Sequence, residues 1–90
     1  MFIQTESTPN PATLKFLPGL TVLEEGSAHF DTKEEAAVSP LAERLFEVEG
    51  VTGVFLGSDF ITVHKSDDRE WFLIKPSILG LIMEHFTAGC

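Results

Sequence analysis

Val51-Thr52-Gly53-Val54-Phe55-Leu56-Gly57-Ser58-Asp59-Phe60-Ile61-Thr62-Val63-His64-Lys65 reads as two β-rich runs, 51–56 and 60–65, joined by Gly57-Ser58-Asp59 in a hairpin. Whether the turn centres on Gly57-Ser58 or on Ser58-Asp59, a period of two groups Val54, Leu56, Ile61 and Val63 on one face. Phe55, Phe60, Thr62 and His64 fall on the other. The first set is purely aliphatic and is predicted to meet helices. The second is mixed, as expected for a sheet with one open side.

Upstream, Phe2 to Glu6 alternates and reads as a first strand, and Thr13 to Leu17 as a second. Between them, Pro9 and Pro11 impose an extended, donor-poor approach, because proline fixes φ and lacks an N–H. Pro18-Gly19 then stops the second strand with turn chemistry. Ile3, Leu14 and Phe16 are expected in the core, with Phe2, Gln4, Thr13 and Lys15 on the open face. Val22-Leu23 and Ala28-His29-Phe30 read as short strands around a turn at Glu24-Glu25-Gly26-Ser27. Asp31 to Val38 is polar and reads as a surface loop.

Two helices complete the pattern. Ser39-Pro40 is a start signal, since a serine side chain can satisfy free N–H groups and proline at the first position has none to orphan. Leu41, Leu45, Phe46 and Val48 supply its apolar stripe, and Gly50 is its expected C′ residue. The second helix spans roughly 69–87, with Trp71, Ile74, Ile78, Ile82 and Phe86 on one face and Pro76 expected to kink or restart it. The fold class is therefore α+β: a two-layer sandwich of a mostly antiparallel sheet with two helices on one face.

The 90 residues suffice for one domain, and the net charge of −8 argues against a nucleic-acid partner, because phosphate binding needs clustered cations. Cys90 is the only cysteine. A lone thiol cannot form an internal disulfide, which fits a reducing compartment. The N-terminus shows no basic region followed by an apolar stretch, and no run is long enough for a membrane span. The expectation is a soluble domain in the cytoplasm, or in the mitochondrial matrix for a mature eukaryotic form.

Reactive groups are sparse. His29, His64 and His85 lie in different elements, and Cys90 has only His85 nearby, so no catalytic, cofactor or metal residue is assigned. Gly50-Val51-Thr52-Gly53 and Gly57 bound strands instead of opening a helix, which excludes a phosphate loop. The acidic pairs Glu24-Glu25, Glu34-Glu35, Glu47 with Glu49, and Asp67-Asp68 fall in turns or helix exits, where solvation accounts for them. The candidate partner-binding residues are Phe55, Phe60, Thr62 and His64. The two phenylalanines either form an exposed apolar patch or lie under a loop such as the proline-rich one.

The stretches Ile3 to Glu6 and Thr8-Pro9-Asn10-Pro11-Ala12-Thr13-Leu14-Lys15-Phe16-Leu17-Pro18-Gly19 closely resemble the opening of the N-terminal domain of Nfu-type, NifU-like iron–sulfur scaffold proteins. Ser39-Pro40-Leu41-Ala42, Leu45-Phe46, Gly50-Val51, Val54-Phe55, Asp59 to Val63, Trp71, Lys75-Pro76 and Ile82-Met83 continue the likeness. In that family a separate C-terminal domain holds the cluster through a Cys-x-x-Cys pair, and residues 1–90 contain no such pair. The resemblance implies a single Nfu N-terminal-like domain with no cofactor of its own. It implies a non-catalytic accessory role in iron–sulfur cluster assembly and delivery. The implied partners are client apoproteins, assembly proteins or the chain's own cluster-binding domain, with no nucleic acid and no membrane. The alternative is a small metal-dependent or small-molecule enzyme, which requires at least two of the three histidines to converge in a pocket with a carboxylate.

Overall fold

The computed structural model describes residues 3–88. The strands are β1 (Gln4–Ser7), β2 (Thr13–Leu17), β3 (Ala28–Phe30), β4 (Val51–Leu56) and β5 (Ile61–Lys65), and the helices are α1 (Pro40–Phe46) and α2 (Trp71–Ala88). They build one five-stranded sheet in the order β1-β2-β5-β4-β3, antiparallel at every pairing. Phe16, Phe30, Val54, Leu56, Ile61 and Val63 from the sheet form one buried cluster with Leu41, Ala42 and Leu45 of α1 and Ile74, Ile78 and Ile82 of α2. Both helices therefore cover the same face, the α+β sandwich expected from the alternation.

The β4–β5 hairpin turns on Ser58-Asp59. Gly57 N donates to the Phe60 carbonyl at 2.9 Å, and Leu56 pairs with Ile61. Farther along, a bulge between Val51 and Gly53 shifts the register by one, so that Val51 pairs with Lys65 and Gly53 with His64. The extra residue keeps Val51 in the core, whereas strict alternation from Val54 would turn it outward.

Several local expectations are corrected. The first strand begins at Gln4, and Phe2 lies outside the described residues. Val22-Leu23 forms no strand; both N–H groups donate instead to the Ser58 carbonyl, at 2.7 and 3.4 Å. Ala28–Phe30 pairs with β4, not with a neighbour across residues 24–27. The edge of β4 offers three residues a full ladder, whereas a hairpin of two-residue arms would bury almost nothing. Within the polar stretch before α1, Glu35–Val38 forms a short 3₁₀ turn that buries Ala36.

Helix α1 starts as read, with the Ser39 side chain accepting from Ala42 N at 3.4 Å. It ends sooner than read, at Phe46 with Glu47 as its cap, so Gly50 is not the C′ residue. Gly50 has φ +102° and stands under the Arg69 stem, where a Cβ would come within 2.6 Å of Cγ. Its carbonyl accepts from Ser66 N at 2.8 Å, locking the entry to β4 against the exit of β5.

Helix α2 runs through Pro76 as a single element. The ring removes one hydrogen bond near the helix start, while Ile74, Ile78 and Ile82 hold both sides of it on the core. Gly80 also lies inside α2, at a cost of about 0.5–1 kcal/mol relative to alanine. No helix among the described residues is long and apolar enough to cross a membrane.

Candidate functional site: the open sheet face

The uncovered face of the sheet carries one continuous cross-strand row. Glu6 pairs with Lys15, Lys15 with Thr62, Thr62 with Phe55, and Phe55 with His29, so a single line crosses all five strands. At the usual strand spacing the row is about 19 Å long. Phe60 leans onto it from the turn and stacks on Phe55 at 5.8 Å between centroids and 17° between planes. Lys15 Nζ sits 4.7 Å above the Phe60 ring and 3.8 Å from Glu6. The apolar pair is thus bordered by a cation on one side and by imidazole on the other.

His64 occupies the adjacent row, opposite Thr13 and Gly53. Thr13 Oγ1 and His64 Nδ1 are 2.7 Å apart, which fixes the ring orientation. Gly53 leaves room for that ring, since a Cβ there would lie 3.0 Å from His64 Cδ2. Thr13 is 7% exposed although it belongs to the open face.

Phe55, Phe60, Thr62 and His64 thus share one surface, and each is half-buried. The proline-rich connection does not lie over the phenylalanines. Thr8 and Asn10 side chains fold it on itself: Thr8 Oγ1 accepts from Asn10 N at 3.2 Å, and Asn10 Oδ1 from Ala12 N at 2.9 Å. Its Ala12 carbonyl accepts from Lys65 N at 2.8 Å, at the far end of β5 from Phe60.

One member of the surface, His29, escaped the sequence reading, and so did the contact that Lys15, expected on this face, makes there. His29 comes to 6.1 Å from Phe55 and 6.4 Å from His64, between ring centroids, and its Nε2 is 3.0 Å from Asp31. The only local hint was the alternation of His29 with Ala28 and Phe30. Lys15 over Phe60 was equally hidden, because Phe60 belongs to the turn and not to the ladder.

Two of the three histidines therefore converge near a carboxylate, on the open sheet face, where the His29 side chain is 51% exposed. Among the described residues no three His, Cys, Asp or Glu side chains are placed to hold a metal ion. Cys90 lies outside those residues. The described residues include no cysteine, the usual ligand of an iron–sulfur cluster. His85 is in the other layer, on α2, with its ring 5.1 Å from Phe86. Burial, and then the Arg44 charge, lower its pKa from the ordinary histidine value. Asp68, before α2, is also lowered, chiefly because the Ser66 hydroxyl donates to it at 2.6 Å.

The architecture and its uncovered aromatic–imidazole row define a small α+β domain that presents one sheet face to its surroundings. The family described as scaffold protein Nfu/NifU, N terminal, matches residues 3–89, and the chain belongs to that family. It is 52% identical over 89 residues to the mitochondrial NifU-like protein 5 of Arabidopsis thaliana, covering 99% of this chain and 32% of that protein. It is 54% identical over 90 residues to the mitochondrial NFU1 iron-sulfur cluster scaffold homolog of Drosophila sechellia, again covering 99% and 32%. The chain thus spans about a third of the length of these curated relatives. The solution structure of a NifU-like protein from Saccharomyces cerevisiae superposes with TM-score 0.83 at 31% identity, over 97% of this chain and 79% of that one. A crystal structure of a Staphylococcus aureus protein superposes with TM-score 0.78 at 26% identity, over 91% and 99%.

Proposed function

We propose that this chain is a non-catalytic interaction domain in iron–sulfur cluster assembly and delivery. It contacts client apoproteins or assembly proteins, or holds a cluster-binding domain in position. The observation that carries this reading is the 54% identity, over 99% of the chain, to a protein named as an iron–sulfur cluster scaffold. The row from Lys15 to His29, with Phe60 and His64 beside it, supplies the contact surface in this reading. Aromatic rings flanked by hydrogen-bonding groups favour macromolecular contact, and truncating such rings is what most weakens protein interfaces.

In this reading residues 1–90 are one domain, and the cluster is cargo held by a separate Cys-x-x-Cys domain. The compartment is a reducing one: the cytoplasm, or the mitochondrial matrix, in keeping with the mitochondrial names of the relatives. The test is anaerobic incubation of the 90-residue chain with ferrous iron and sulfide. The expected product is colourless and free of iron after desalting. A stoichiometric visible chromophore that Cys90→Ser abolishes would place a cluster ligand on this chain and overturn the reading.

A further inference from the structure

Helix α2 is apolar around more of its circumference than one packed face requires. Ile74, Ile78 and Ile82 are buried, yet Phe72 and Leu73 stand 73% and 64% exposed and Met83 40% exposed. Of these three exposed residues, Leu73 shares a helical row with Ser77 and Gly80, whereas Phe72 and Met83 lie about a quarter of the circumference away from it. Between the exit of α1 and the middle of α2 lies an open groove of about 560 Å³. Half-buried Val48 and Leu81 form its floor, and exposed Ser77 and Gly80 form its α2 wall. Exposed Glu47, Glu49 and Glu84 stand at its rim.

Among the described residues nothing requires a glycine at position 80. A Cβ there would meet nothing within 4 Å, and its φ is not positive. The absence of a side chain leaves the helix backbone open to approach from outside. Leu73, Ser77, Gly80 and Glu84 follow helical spacing along one face for about 16 Å, the length of three turns. That footprint suits a helical segment better than a compact metabolite. The rim decides the sign of the occupant's charge. Arg44 lies 3.7 Å from Glu84 and Arg69 pairs with Glu49, but Glu47 has no ion pair among the described residues. Three rim carboxylates against the two arginines that pair with them leave the groove a negative excess carried by Glu47.

We propose that this groove docks a basic amphipathic helix of a partner protein. An apolar side chain of that helix sits over Gly80 between Val48 and Leu81, and its Lys or Arg residues face Glu47, Glu49 and Glu84. The surface lies in the helical layer, away from the open sheet face, and does not depend on the cluster-carrier reading.

The test titrates the isotope-labelled chain with two synthetic helical peptides that share one leucine stripe and differ only in carrying lysine or glutamate beside it. The basic peptide should bind with amide shifts centred on Ser77, Gly80 and Leu81, and the acidic one roughly tenfold more weakly or not at all. Gly80→Leu projects into open space and replaces a poor helix former, so its thermal midpoint should be no lower. It should nevertheless weaken the basic peptide by about tenfold. Glu47→Lys should weaken binding and reduce its salt dependence. Any of four results overturns the proposal: equal binding of both peptides, no binding of either, shifts centred on Phe55 and Thr62, or affinity indifferent to Gly80→Leu. Sedimentation showing a dimer that Gly80→Leu dissolves would do so too, assigning the groove to a second copy.

Discussion

Trp71 Nε1 donates to the Pro11 carbonyl at 2.9 Å, joining the first turn of α2 to a loop sixty residues earlier. Lys65 N fastens the same loop through the Ala12 carbonyl, and Lys65 Nζ lies 5.9 Å from the Trp71 ring centroid. The proline-framed segment is thereby a clasp between the sheet and the helix layer. Trp71→Phe keeps the apolar contact and removes the donor. It should cost about 0.5–1.5 kcal/mol in urea denaturation and speed amide exchange at Lys65. Unchanged stability and exchange would show that water serves the Pro11 carbonyl equally well.

The two faces of the hairpin should respond differently to truncation. Ile61 is fully buried, so Ile61→Ala should cost about 2–5 kcal/mol. Phe55 and Phe60 are half-buried and stacked on each other. Replacing both with serine should cost only about 1–2 kcal/mol while weakening partner binding. A loss as large as that of Ile61→Ala would assign both rings to the core.

Gly57 controls where Phe60 points. A Cβ at position 57 would fall 2.2 Å from the Phe60 ring, so Gly57→Ala must swing that ring away from Phe55. The expected signature is a change in the ring-current shifts of Phe55 and Thr62, with a stability loss of about 1 kcal/mol. Wild-type shifts in the variant would mean that the backbone yields instead of the ring.

His85 should make stability depend on pH. Because its folded-state pKa is lowered, first by burial and then by Arg44, the unfolded chain takes up the proton at a pH where the folded chain does not. This group therefore raises stability with pH, from its lowered value up to the ordinary histidine range near about 6.5, and adds nothing further above it. His85→Gln should flatten that part of the profile, measured by urea denaturation between about pH 5 and pH 8. Arg44→Gln should move the His85 titration part of the way back, as read from imidazole proton shifts. An unaltered slope in His85→Gln would assign the dependence to another group.

The hairpin faces were legible because side-chain alternation is local. Once two runs pair, Val54, Leu56, Ile61 and Val63 must share a side, and all four are buried. Ser39-Pro40 was legible for the same reason, as a cap is satisfied within one turn. Gly50 misled because glycine signals a backbone conformation without naming its cause. Its positive φ serves the junction with Arg69 and Ser66 and not a helix end. Glu24 to Ser27 misled in the same way, for turn residues mark a reversal without choosing the strand that follows it.

By itself, the sequence determined the α+β class, the aliphatic core face, the start of α1 and the family. These rest on periodicity, capping and motif, whose information lies within a few residues or in a contiguous stretch. Only the tertiary structure decided that β3 pairs with β4, that the proline-rich loop clasps Trp71 instead of shielding Phe55, and that Glu6, Lys15, Thr62, Phe55 and His29 form one row. That row needs four registers at once. Each is set by how the buried face packs, and a one-residue slip in any of them would send the strand's outward residues into the core.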